Sequence, residues 1–137
     1  MMRRVFADTN YWLAIGWPQD PWRGAAEKAR AALDSAKLVT TEEVLIECLN
    51  AFSGNPLLRQ KMALIIRRIS KSPDVEVVPQ SHHSFQRGLS LYEMRNDKCY
   101  SLTDCISMSL MREKGIRDAL TNDHHFEQEG FRALMKG

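Results

Sequence analysis

Four acidic residues of this chain stand in contexts that a solvated surface does not demand. Asp8 ends the apolar run Val5-Phe6-Ala7, and Glu47 sits inside Val44-Leu45-Ile46-Glu47-Cys48-Leu49. Asp104 precedes Cys105, Ile106, Met108 and Leu110, and Asp123 follows Ala119-Leu120-Thr121-Asn122. Each has an ordinary alternative. Asp8 could close an Asx turn or cap the Tyr11-Trp12-Leu13 segment, and Glu47 could face solvent, although Val44, Cys48 and Ala51 share its side of a helix. Asp104 could be the acid of a capping box begun at Ser101, and Asp123 a turn residue before His124-His125. If the four instead converge, mutual repulsion raises their pKa values unless cations neutralise them. Hard oxygen donors without a thiolate or imidazole cage suit Mg²⁺ or Mn²⁺, which keep several waters and take their remaining ligands from phosphate. One or two such ions can activate a water and stabilise the leaving oxygen of a phosphodiester, so no protein nucleophile is required. The sequence offers no other nucleophile: it has no G-x-S-x-G elbow, no G-x-x-x-x-G-K-[ST] loop and no cysteine with a histidine nearby in sequence.

Residues so far apart in the chain meet only if the intervening elements carry them together. A strand over 4–7 is followed by a Trp17–Pro21 loop and a helix over Trp22–Leu33, rich in Ala, Glu, Lys and Arg. Lys37-Leu38-Val39 is a short strand, and Thr40 or Thr41 caps a helix running to about Phe52. Asn55-Pro56 starts a helix with Leu57, Leu58, Met62, Ile65, Ile66 and Ile69 at helical spacing, ending near Ser70. Val75–Val78 reads as a strand closed by Pro79, and Ser81 to about Met94 as a helix. Ser101 to Asp104 opens a fifth helix, which Lys114-Gly115 closes. Ala119–Thr121 and Phe131–Leu134 are the last strands. Short strands alternating with helices predict an α/β fold with a largely parallel sheet. In such sheets the ligand crevice lies beyond the carboxyl ends of the strands, where Asp8 and Asp123 would emerge.

The 137 residues are those of one domain, 1–137, able to bury a core without staples. A formal net charge of +2 is too mild to argue nucleic-acid binding by itself. Cys48, Cys99 and Cys105 cannot all pair with one another and show no C-x-x-C spacing, so they suggest neither a disulfide framework nor a zinc site, and a reducing compartment fits. The N-terminus lacks the order of a signal peptide, and no apolar run approaches the ~18 residues of a membrane span. A cytoplasmic protein without membrane attachment is expected.

Ala7-Asp8-Thr9-Asn10 after the first strand and Thr41-Glu42-Glu43-Val44-Leu45-Ile46-Glu47 on a helix are the first two of four blocks. Ser101-Leu102-Thr103-Asp104-Cys105 and Leu120-Thr121-Asn122-Asp123-His124-His125-Phe126, followed by Gly130-Phe131, are the others. In order and spacing the four resemble the acidic motifs of PIN-domain nucleases, across essentially the whole chain. The resemblance implies a three-layer α/β/α sandwich and an Mg²⁺- or Mn²⁺-dependent endoribonuclease leaving 5′-phosphate and 3′-hydroxyl ends. It also implies the toxin half of a VapC-type toxin–antitoxin pair, with an RNA substrate and an antitoxin partner. Carried over residue by residue, it makes Asp8, Glu47, Asp104 and Asp123 the catalytic and metal-binding cluster. Asp8 and Asp104 would anchor the principal ion, Glu47 and Asp123 would complete the site, and Thr9 or Asn10 would support it.

Asp97 is a candidate fifth acid, and Glu43 lies one turn before Glu47. His82-His83 and His124-His125 are adjacent pairs whose members should point in different directions and so not share an ion, while His124, next to Asp123, is a candidate substrate contact. Arg3, Arg4, Arg87, Arg95 and Lys98 could hold an RNA backbone, with single-stranded or loop RNA the expected substrate. Trp12, Trp17 and Trp22 are either core or, if exposed, a groove for a partner's helix or the face of a homodimer. Two other functions fit the acids: a non-catalytic RNA-binding or protein-interaction domain, and a metal-dependent phosphatase. Asn10 in place of a second aspartate after the first strand counts against the aspartyl-phosphate form of the latter.

Overall fold

The computed structural model describes residues 2–136. Five strands, β1 (Arg3–Ala7), β2 (Ala36–Thr41), β3 (Val75–Val78), β4 (Asp118–Leu120) and β5 (Arg132–Ala133), form one sheet in the order β3-β2-β1-β4-β5. Every pairing is parallel. Val5, Phe6 and Ala7 are each fully buried although successive strand residues point to opposite faces. Both faces of the sheet are therefore covered, as the three-layer expectation requires.

The layers are built from α1 (Thr9–Gly16), α2 (Arg23–Ala32), α3 (Glu42–Ala51), α4 (Pro56–Lys71), α5 (His82–Met94), α6 (Leu102–Lys114) and α7 (His124–Gln128). Their ends follow from local chemistry. Thr41 accepts from Val44 N at the start of α3, and Asn55 accepts from Leu57 N and Leu58 N at the start of α4. Ser101 and Asp104 form a reciprocal capping box at α6, and Gly115 closes that helix at φ 69°, a left-handed conformation that glycine adopts without a Cβ penalty.

Two helices lie beyond the five expected. In α1 the chain turns because the carbonyl of Asp8 accepts from Tyr11 N and Trp12 N, while the Asp8 carboxylate makes no cap bond. In α7, only five residues long, Asp123 accepts from His125 N. The last strand is shorter than expected, and Thr121 lies beyond the end of β4.

The strand order matters for function. The chain builds β2 and β3 on one side of β1, then crosses to lay β4 and β5 on the other, so β1 and β4 are neighbours whose following segments diverge. That divergence opens a crevice at their carboxyl ends, and Asp8 N donates to Leu120 O across it at 3.2 Å. Arg3 and Arg4 start β1 and so lie about 16 Å and about 13 Å from Asp8 along the strand. They are spent there, Arg3 on Asp118 and Arg4 on the carbonyl of Lys114.

Trp12 is buried and donates Nε1 to Thr40 Oγ1 at 3.3 Å, and Trp22 packs against the core. Trp12 is thus core, while Trp17 and Trp22 are half-buried and Trp22 also lines a surface concavity with Pro21, Lys28 and Lys136. The large apolar side chains left in water are Ile46, Leu57 and Leu64 on α3 and α4, and Phe85, Tyr92 and Met94 on α5.

Helices α5 and α6 meet where Gly88 has no side chain. A Cβ there would stand 2.3 Å from Ile106 Cγ1 and 3.2 Å from the Ile106 backbone. The side chain can turn away, but the backbone contact can be relieved only by separating the helices. Gly88→Ala should therefore lower stability by about 1–2 kcal/mol, overpacking exceeding the gain in helix propensity, and a urea-unfolding midpoint measures it.

Candidate active site

Four elements deliver the four acids. Asp8 follows β1 and is 5% exposed. Its carboxylate accepts from Thr121 Oγ1 at 2.8 Å and, at 3.4 Å, from Asn10 Nδ2. Thr121 is fully buried just past β4, and its hydroxyl also accepts from Asn10 Nδ2 and Asp123 N. Asn10 in turn accepts from Asn122 N at 3.1 Å, tying the segments after β1 and β4 together. Glu47, half-buried on α3, accepts from Thr9 Oγ1 at 2.6 Å.

Asp104 and Asp123 serve two roles. Asp104 Oδ2 accepts from Ser101 N, and Asp123 Oδ1 accepts from His125 N, so both cap helices as the local alternatives required. Both also belong to the cluster. Burial pushes the carboxyl of Asp8 up to about 7 against hydrogen bonds from Thr9 and Thr121 that lower it, with Asp104 and Asp123 adding repulsion. Burial likewise raises Asp104, with Asp123 and Glu47 adding to it. Each of the four acids thus feels the field of at least one other.

Among the described residues, the ion-pair partners of these acids are imidazoles alone. His125 Nδ1 lies 3.4 Å from Asp123 Oδ1 and 3.7 Å from Asp104 Oδ2, and His124 Nδ1 lies 3.8 Å from Asp123 Oδ1. The adjacent histidines therefore do not diverge as expected from their positions in sequence. Their rings lie 4.6 Å apart, and His125 also packs on Tyr100 at 5.3 Å.

Several expected participants lie elsewhere. Asp97 is exposed and faces Lys98 at 3.8 Å. Arg87 pairs with Glu113, and Arg95 with Glu129. His124 is exposed, whereas His125, not singled out from sequence, is mostly buried beside the acids. Thr121 was read only as a strand residue. Its place between Leu120 and Asn122-Asp123, at the mouth of the expected crevice, was the available signal.

The donor set fits a hard divalent cation. Among the described residues no lysine or arginine pairs with these carboxylates at the strand-end crevice, and Asp8 is held above its ordinary range by burial first and by Asp104 and Asp123 second. Mg²⁺ or Mn²⁺ would be held by Asp8 and Asp104, with Glu47 and Asp123 beside them.

The family model for the PIN domain matches residues 5–131. The chain belongs to the PIN-domain family. Within it, the chain is 28% identical over 127 residues to the 23S rRNA-specific endonuclease VapC20 of Mycobacterium tuberculosis, from strains CDC 1551 / Oshkosh and ATCC 25618 / H37Rv alike. Those alignments cover 93% of this chain and 95% of each relative. The crystal structure of M. tuberculosis VapC20, described as a sarcin–ricin loop cleaving toxin, superposes with a TM-score of 0.83 at 26% identity, covering 96% of this chain and 99% of that one. The VapC-type resemblance and the three-layer fold expected from the acidic motifs both hold for this PIN domain, and the names of these relatives agree with the expected nuclease class.

Behind His125 the PIN domain holds a second polar centre that sequence did not reveal. Glu129 is 6% exposed and accepts from Arg95 Nε and a terminal nitrogen of the same guanidinium, from Arg112, and from Tyr100 Oη, at 2.9–3.1 Å. Burial alone would raise the Glu129 carboxyl, but these donors outweigh it and hold the group below its ordinary 4.5. A depressed pKa contributes stability that is present above 4.5 and lost as pH falls through the folded value. Glu129→Gln should flatten the acid limb of the stability curve between about pH 5 and 3. At neutral pH the loss should be only about 1–2 kcal/mol, because both arginines remain partly in water. Urea unfolding of both proteins across that range measures it.

Proposed function

We propose that this protein is a divalent-metal-dependent endoribonuclease of the VapC type, that Mg²⁺ or Mn²⁺ is its cofactor, and that its substrate is an RNA loop of the sarcin–ricin kind in 23S rRNA. The supporting observation is that Asp8 feels the charges of Asp104 and Asp123, and Asp104 those of Asp123 and Glu47, while among the described residues no lysine or arginine pairs with any of the four. The names of the VapC20 relatives supply the RNA class, and a loop agrees with the preference for bases that can be splayed from a stack.

A bound divalent ion supplies neutralisation of phosphate charge and an activated water. The chain's own residues supply position. Thr121 and Asn10 hold Asp8, Thr9 fixes one oxygen of Glu47, and the caps at Ser101 and His125 fix Asp104 and Asp123. None of these side chains has to form a covalent bond to phosphorus. Asp97 and His124 are the remaining candidates for contact with RNA. Both are exposed, and His124 lies beside the acids.

An antitoxin partner and a homodimer belong to the same reading, as does a cytoplasmic setting in which the three free thiols persist. No described helix is long and apolar enough to cross a membrane. The exposed Phe85 and Tyr92, seven residues apart and so on one face of α5, support a covered apolar face. A dimeric mass by light scattering is expected, and Tyr92→Glu should shift it toward the monomer.

Purified protein should cleave a sarcin–ricin-loop RNA hairpin with Mn²⁺ or Mg²⁺ and stop on chelation. Asp8→Asn and Asp104→Asn should each slow cleavage by about 100-fold or more, and Thr121→Val should weaken Mn²⁺ affinity by about 10–100-fold. Mn²⁺ at about a hundred times its Kd should stabilise the wild type by about 2.7 kcal/mol and Asp8→Asn by none. Undiminished Mn²⁺-dependent cleavage by Asp8→Asn would sink the reading.

A further inference from the structure

The cluster contains two imidazoles that hydrolysis by hard cations leaves without a task. His125 Nδ1 is buried with no hydrogen-bond partner. It faces Asp123 Oδ1 at 3.4 Å and Asp104 Oδ2 at 3.7 Å, too far for good hydrogen bonds. His124 Nδ1 faces the same Asp123 oxygen at 3.8 Å. Donor atoms of Asp123, His124 and His125 all lie within 4.8 Å of one another.

These separations have a chemical meaning. A tetrahedral zinc ion bonds imidazole nitrogen and carboxylate oxygen at about 2.0–2.2 Å, which sets neighbouring ligand atoms about 3.3–3.5 Å apart. The His125–Asp123 separation of 3.4 Å already has that value, and the His124–Asp123 separation of 3.8 Å exceeds it by a few tenths of an ångström. The exposed ring of His124 is free to close its part of the difference. Tyr100 packs against His125 and is itself held by Glu129, so the ring of His125 is braced from the side away from the acids.

We propose that Asp123, His124 and His125 form a site for a borderline-soft divalent cation, represented by Zn²⁺, with water completing its coordination. The site overlaps the proposed hard-ion site at Asp123, and rests on that reading only in this overlap. Imidazole favours Zn²⁺ over Mg²⁺, and mixed donor sets bind Zn²⁺ more tightly than Mn²⁺. Zinc here draws the Asp123 carboxylate away from the ion that Asp8 would anchor, so it competes with that ion and inhibits turnover.

Isothermal titration of metal-free protein with Zn²⁺ and, separately, Mn²⁺ tests this, with Co²⁺ as a visible-absorption reporter of tetrahedral ligation. His125→Phe keeps a ring against Tyr100 but removes the donor, and His124→Ala changes an exposed position. Zn²⁺ affinity should fall at least about tenfold in His125→Phe and further in the double variant, while Mn²⁺ affinity changes by less than about threefold. In Asp8→Asn the pattern should reverse, with Mn²⁺ binding lost and Zn²⁺ binding kept. The tetrahedral Co²⁺ bands should be present in wild type and absent from His125→Phe. Unchanged Zn²⁺ affinity in the double variant would overturn the proposal, as would parallel loss of Zn²⁺ and Mn²⁺ from a variant that still melts as wild type. Zinc binding with this pattern in a protein that binds no Mn²⁺ would instead leave the zinc site standing and remove the nuclease reading.

Discussion

The Asp8 carboxylate is almost wholly removed from water, and what holds it is the hydroxyl of Thr121 across the gap between β1 and β4. That contact exists because the sheet order places β4 directly beside β1 and sends the chain off in opposite directions after each. A buried carboxylate with too few donors is unfavourable. Here the shortfall is made worse by Asp104 and Asp123, and together these effects place the Asp8 pKa at about 7. The fold therefore carries a local instability at the point where its strands diverge, and an added positive charge would relieve it.

The way the other acids are held limits how far this strain spreads. Asp104 and Asp123 each satisfy a helix N-terminus, which offsets part of the energy of crowding them. The capping role and the cluster role are not rivals: the cap fixes the side chain in space, and the helix fixes which way the cap faces.

Much of this was legible from residue types alone. Asn55-Pro56 and Ser101 through Asp104 mark their helix starts by the hydrogen bonds they offer, and Lys114-Gly115 marks an end by conformational freedom. These are local effects, fixed by neighbours in sequence. Helices α1 and α7 were not legible because they are short and carry weak signals of their own. Asp8 gives its carboxylate to Thr121 and so shows no cap, and five residues of α7 are too few for a period. The roles of Thr121, His125 and Glu129 depend on partners at 113, 21 and 34 positions' distance, namely Asp8, Asp104 and Arg95. Neither spacing nor propensity reports such pairings. The acid partners of Arg3, Arg87 and Arg95, namely Asp118, Glu113 and Glu129, are likewise set by the fold and not by spacing.

The two polar centres are joined through the aromatic pair Tyr100 and His125. Glu129 gathers Arg95 and Tyr100 from the segment before α6, Arg112 from near the end of α6, and itself follows α7. It thereby ties together two helices whose other ends carry acids: Asp104 lies in the first turn of α6, and α7 is capped by Asp123. The acid cluster is thus defined from two sides, by Thr121 at the sheet and by Glu129 behind the helices, and a cation entering it would find donors whose positions are already set.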